Sequence, residues 1–253
     1  MGPIAITVLI AASFAAFGYL AWRKLSIVVR LQPEVRWDRP AERLRKLLRL
    51  GLLQSRMIAM EPAAGLMHTA IFLGFLALLI RKLQLVGIGY VPGFTYPGVL
   101  GGLYATFKDL VEVAVTLAVL YAFWRRFVLL PRRFEPNREA LLVLSLILVI
   151  MVTDGFRFAL LSASDAGIAH ERAFAFVGSA VASALGGLAP GALETGMHAA
   201  YWIQLLPVFS FLVILPTGEH FHIVTALPAV VFSRDTPLNR VPSVDLEKIM
   251  ADD

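Results

Sequence analysis

Between Ile4 and Trp22 the chain carries no charged side chain, and apolar runs of comparable reach recur over Ala63 to Ile80, Leu103 to Leu130, Arg138 to Leu161 and Thr195 to Leu215. A bilayer core about 30 Å thick is crossed by about 20 apolar residues in a helix. Within that core a lipid-exposed segment must satisfy its own backbone, which leaves helices or closed barrels. The runs are too long for barrel strands, so the sequence predicts an all-α integral membrane bundle of five transmembrane helices with interfacial helices. The overall content agrees: 58% of the 253 residues are hydrophobic and mean hydropathy is +0.74, which excludes an ordinary soluble domain. The first run is expected to be a span rather than a cleaved leader, because its positive charges follow it, beginning at Arg23.

The segments between the runs differ in kind. Pro40 to Met57 places Leu44, Leu47, Leu48 and Leu52 on one face among Arg43, Arg45, Lys46 and Arg49, which predicts a helix lying on the membrane surface. Gly87 to Gly102 is rich in Gly, Pro and aromatic residues and reads as an interfacial loop. Ala173 to Leu188 is apolar but short, suited to an interfacial or re-entrant helix rather than a span. After Phe232 the chain becomes polar and Pro-punctuated. The expected division is a membrane domain over 1–232 and a cytoplasmic tail or linker over 233–253.

The net charge of +5 would suggest nucleic acid in a soluble protein. Here the basic residues sit in loops between apolar runs, so membrane orientation accounts for them and no nucleic-acid partner is expected. Arginines and lysines crowd the segment from Arg23 to Arg56 and the segment from Arg125 to Arg138, whereas the loop Gly87 to Gly102 has none. The basic segments are therefore expected in the cytoplasm, with the N-terminus outside, the tail after His222 inside, and the chain multi-pass in the cytoplasmic membrane. Arg81 and Lys82 break this pattern and are expected to snorkel outward from the second span.

No cysteine is present, which excludes disulfides, thiolate zinc sites and cysteine-ligated iron–sulfur clusters within this chain. The ligating chemistry available is that of five histidines: His68, His170, His198, His220 and His222. In this topology His68 opens the second span and His220 and His222 close the fifth, all on the cytoplasmic side. An axial haem pair needs two imidazoles from neighbouring helices at matched depth. His68 with His222, or with His220, meets that condition. The competing reading is of interfacial histidines that hydrogen-bond to headgroups or backbone.

Ionisable residues also enter the outer half of the bundle. Lys108, Asp109 and Glu112 lie on the third span, and Asp154 and Arg157 on the fourth. Lys108 with Glu112, and Asp154 with Arg157, have the spacing of pairs on one helix face. They read either as a quinone headgroup site with proton exchange, with Asp109, Glu112, Asp154 and Arg157 as its catalytic groups, or as ion pairs holding two spans together.

Two segments carry a family resemblance. Met67-His68-Thr69-Ala70-Ile71-Phe72-Leu73-Gly74-Phe75 and Leu215-Pro216 followed by His220-Phe221-His222-Ile223-Val224-Thr225-Ala226-Leu227-Pro228 resemble the five-span cytochrome b domain related to the nitrate reductase gamma subunit. More closely, they resemble the membrane half of heterodisulfide-reductase-related iron–sulfur proteins. Those include respiratory-chain oxidoreductases that pass electrons from electron-transfer flavoprotein to menaquinone. The resemblance runs from about Ile4 to Leu246. It implies haem b as cofactor, menaquinone as substrate and membrane lipid as surroundings. It further implies a cytoplasmic iron–sulfur domain or subunit as partner, with electron-transfer flavoprotein behind it.

In the nitrate reductase relatives the second and fifth spans each give two histidines and bind two haems. By that pattern His68 and His222 are the inner pair, with His220 as substitute ligand. The outer pair falls on Leu78 and Gln204, where no histidine stands. A second haem would need His198, with His170 as its remaining partner. Two functions thus stand open: a membrane electron-transfer subunit carrying one haem or two, and a haem-free membrane anchor or small transporter.

Overall fold

The structure, a computed structural model, describes residues 2–31, 36–91, 93–129, 137–164, 169–185 and 187–234. It is helical throughout, with no strand among the described residues. The long helices are α1 (Pro3–Val29), α4 (Pro62–Tyr90), α5 (Gly98–Trp124), α6 (Arg138–Ala163) and α9 (Pro190–Ile214). The short ones are α2 (Pro40–Lys46), α3 (Ser55–Met60), α7 (Ala169–Arg172), α8 (Phe176–Leu185) and α10 (His222–Val231). Proline opens α1, α2, α4 and α9, where its missing N–H costs nothing. Asn137 caps α6 by accepting from the backbone N–H groups of Glu139 at 2.9 Å and Ala140 at 3.3 Å.

Four helices are long and apolar enough to cross a membrane: α1, α4, α6 and α9. The fifth expected span, α5, has 27 residues, but Lys108, Asp109 and Glu112 fall in its middle and lower its apolar character. All three are buried, while Leu103, Phe107, Leu110 and Leu117 point outward. The helix is therefore apolar towards its surroundings and charged towards its neighbours.

Two apolar cores hold the long helices. Ile6, Leu85, Ile88, Tyr201, Leu205 and Phe209 join α1, α4 and α9. Leu78, Val115, Val119, Ile150 and Met151 join α4, α5 and α6. Gly74 lets α4 and α5 approach closely: a Cβ at this position would stand 2.1 Å from Val115 Cγ2. Small residues at such contacts are what packing in lipid demands, since no hydrophobic gain is available there to draw helices together.

Three expectations from the sequence change. The second span does not stop at Ile80; α4 continues to Tyr90, and the interfacial loop shrinks accordingly. Arg81 therefore lies inside the bundle at 3% exposure and does not snorkel, and the Lys82 ammonium is buried as well. The surface segment Pro40 to Met57 is not one helix. It is α2, a π-helical turn over Leu47–Leu52, and α3, with Gln54 in the left-handed region (φ 48°) at the break. Its Arg43 is buried, donating to the carbonyls of Val231 at 2.6 Å and Ser233 at 3.2 Å. That bond ties α2 to the end of α10, satisfying carbonyls the helix leaves open. The expected short helix in Ala173 to Leu188 is present as α8. The tail from residue 235 onward lies outside the described residues.

Candidate histidine site

His68, near the start of α4, and His222, the first residue of α10, come together at one end of the bundle. Their ring centroids lie 6.0 Å apart with ring planes inclined by 29°. An iron held between two imidazole nitrogens at about 2 Å each sets the centroids roughly 6 Å apart. Each ring is anchored through Nδ1. His68 Nδ1 lies 2.8 Å from Gln54 Oε1, and His222 Nδ1 lies 2.7 Å from the Glu219 carbonyl. Hydrogen bonds to those acceptors put the proton on Nδ1 and leave Nε2 as the lone-pair nitrogen, which is how proteins orient ligating imidazoles.

The two rings line a cavity together with His220 and the apolar side chains of Ile71, Phe72, Phe75, Val143 and Phe211. Arg126 and Arg125, the latter paired with Glu61, line it too. The cavity, of about 220 Å³, so combines imidazoles, apolar walls and guanidinium groups, donor and charge types that suit a haem, whose faces are apolar and whose propionates are anionic. No group of three or more histidine, aspartate or glutamate side chains among the described residues could hold a bare metal ion.

The loop before α10 is held by α6. Glu139 sits 2.9 Å from His220 Nδ1, and Asn137 donates to Glu219 Oε2 at 3.0 Å. Gly218 gives this carboxylate room: a Cβ there would lie 1.9 Å from both Glu139 oxygens. His220 is anchored through Nδ1 as well, by Glu139, and its ring centroid lies 6.2 Å from that of His222. Of the two histidines that the sequence offers opposite His68, His222 is the one that faces it.

The positions of an outer pair look different. Leu78 is packed among Val115 and Val119, and Gln204 donates from Nε2 to Asp154 Oδ1 at 2.6 Å. His198 is exposed on α9, and no described imidazole faces it. His170 lies on α7, with its side chain outside the described residues.

The charged residues form one cluster across three helices, joined by the Gln204 amide from a fourth. Asp154 of α6 receives Arg81 of α4 at 3.0 Å to each oxygen and at 2.9 Å from a terminal nitrogen, besides Gln204 of α9. Lys108 of α5 lies 2.9 Å from Asp109, 3.1 Å from Glu112 and 3.7 Å from Asp154. Asp109 also accepts from the backbone N–H of Val177 at 2.8 Å, docking α8 onto α5. The expected Lys108–Glu112 pair is present. Asp154 and Arg157 do not pair; Asp154 is saturated by partners from other helices, and Arg157 points elsewhere with Nε unpartnered. Glu112 Oε1 and the Lys82 ammonium are also buried without hydrogen-bond partners among the described residues.

Gln54 is not legible as a site residue in the sequence. Nothing in a surface-helix pattern singles out one glutamine, yet its Oε1 meets both His68 Nδ1 and Thr69 Oγ1, the latter at 3.1 Å. Replacing Gln54 by leucine is expected to free the His68 ring and weaken haem retention about 10- to 100-fold. Haem transfer to apomyoglobin measures this; transfer at the wild-type rate would show that Gln54 does not orient the ligand.

Among known proteins the chain is similar to a probable iron-sulfur-binding oxidoreductase, FadF, of Bacillus subtilis (strain 168). The two are 25% identical over 253 residues, covering 95% of this chain and 34% of the relative. It is also similar to an EtfAB:quinone oxidoreductase of Syntrophomonas wolfei subsp. wolfei, 27% identical over 237 residues, covering 88% of this chain and 32% of that protein. The chain thus spans about a third of the length of the curated relatives it matches. No family model and no solved structure matches it.

Proposed function

We propose that this chain is the membrane electron-transfer part of a quinone oxidoreductase, with one haem b held by His68 and His222. The observation that carries the reading is the pair of facing imidazoles with both Nδ1 atoms engaged and both Nε2 atoms left for a metal. A haem-free anchor or small transporter has no need of that arrangement. Bound there, a haem supplies one-electron transfer between a soluble donor and the membrane. The chain's own residues orient the ligands through Gln54 and the Glu219 carbonyl, exclude water with Phe72, Phe75 and Phe211, and set positive charge in the cavity wall with Arg125 and Arg126.

The names of the relatives supply the two ends of the path. One is named for iron–sulfur binding, the other for EtfAB and quinone. This chain has no cysteine, so the iron–sulfur clusters would lie in a cytoplasmic domain or subunit beside it, fed by electron-transfer flavoprotein. The electron acceptor is menaquinone in the cytoplasmic membrane. In this reading α5 is the fifth span, its charges turned inward, and the basic end that carries the histidines faces the cytoplasm with the N-terminus outside. Within the charge cluster Asp109 and Asp154 hold helices together, Glu112 retains an unpartnered carboxyl oxygen that suits proton exchange, and Arg157 retains an unpartnered N–H that can only donate a hydrogen bond.

The test is spectral. A reduced short-tailed menaquinone analogue added to the purified, haem-loaded chain should reduce its haem, and the oxidised analogue should reoxidise it. An absorption spectrum indifferent to both would remove the quinone from this account.

A further inference from the structure

A second cavity, of about 560 Å³, lies next to the histidine site, and Ile71, Phe75, Ile147 and Phe211 wall both. Its volume falls within the roughly 300–1,000 Å³ range of ligand pockets. Its lining is apolar with one exception, Lys82 of α4. Phe14, Leu79 and Leu83 line it and are at the same time exposed on the outside of the bundle, which places its mouth on the lipid-facing side between α1 and α4. Arg81 and Lys108 close by are taken up by carboxylates; the Lys82 ammonium is buried and has no hydrogen-bond partner among the described residues. An ammonium left this way is costly unless something accepts from it.

Resting on the quinone oxidoreductase reading above, we propose that this cavity is the quinone site, with the Lys82 ammonium donating to one quinone carbonyl and the isoprenoid tail leaving between α1 and α4. Depth decides between a quinone and a phospholipid. Lys82 lies six residues beyond Leu76, the midpoint of Pro62–Tyr90. That is about 9 Å along the helix, within a hydrocarbon half-thickness of about 15 Å for a helix centred in the bilayer. A lipid phosphate stays at the interface. A quinone head is uncharged, carries two carbonyl acceptors and enters hydrocarbon, so it reaches a donor at this depth.

The experiment measures binding, with menaquinone-4 titrated into the haem-loaded chain in phosphatidylethanolamine–phosphatidylglycerol nanodiscs. Lys82→Met is expected to weaken binding about tenfold to a hundredfold, the loss of a hydrogen bond from a charged donor. Lys82→Arg should bind more tightly than Lys82→Met. Val208→Phe fills the cavity from α9 without touching the charge and should weaken binding to a similar degree, which keeps the proposal testable if Lys82→Met fails to fold. Wild-type affinity in Lys82→Met or in Val208→Phe overturns the proposal. So does native mass spectrometry showing a phospholipid, not the quinone, lost on Lys82 replacement. If the haem of the wild-type chain responds to quinone while these variants bind normally, the site is elsewhere and the function stands. If the wild-type chain neither binds quinone nor responds to it, the functional reading itself fails.

Discussion

Replacing Asp154 by alanine is expected to lower stability by about 3–5 kcal/mol, the cost of breaking a buried ion pair by removing one partner. Asp154 is fully buried and takes donors from three other helices: Arg81 of α4, Lys108 of α5 and Gln204 of α9. Alanine strands the Arg81 guanidinium and the Gln204 amide in the middle of the bundle, with no water to receive them, while Lys108 keeps Asp109 and Glu112. In a protein of this size the loss corresponds to a fall in melting temperature of roughly 6–20 °C. Asp154→Asn, which keeps an acceptor, should lose less. Circular dichroism melting in detergent reads both. Unchanged melting of Asp154→Ala would mean that the cluster does not hold the helices together.

The second large effect concerns the ligands. His68→Ala should abolish the haem, because no other histidine lies on α4. His222→Ala should do the same. His220→Ala and His198→Ala should keep it, since the ring set against His68 is that of His222 and His198 is exposed away from the cavity. Haem content by pyridine haemochromogen separates these four variants. Full haem in His68→Ala would move the site elsewhere, and loss of haem in His220→Ala but not His222→Ala would exchange the two ligands.

These two sites are not equally legible in the sequence. Matched depth is a one-dimensional property once apolar runs and basic loops are located, so the amino-acid order alone suffices to pair His68 with His222 or His220. What sets His222 rather than His220 against His68 is the turn that opens α10, held by Asn137 and Glu139, which are far away in sequence. Gln54 is invisible for the same reason. Its role depends on a break between a π-helical turn and α3 that propensity does not announce.

The charge cluster shows the limit more sharply. A charge at the end of an apolar run ordinarily marks the interface, so Arg81 and Lys82 read as the close of the second span. Instead α4 runs on, and a buried aspartate on another helix is what allows it. Asp154 and Arg157 share a helix face by spacing, but spacing cannot register a better partner across the bundle. The pairing of Lys108 with Glu112 is legible because their contact is local.

The central claim is that His68 and His222 share one haem. The most direct measurement is the absorption spectrum of the purified chain, produced with an adequate haem supply and quantified as pyridine haemochromogen. The account predicts about one haem b per chain, with a Soret band and the low-spin α and β bands of bis-histidine ligation on reduction. A correctly folded chain with no Soret band would contradict it.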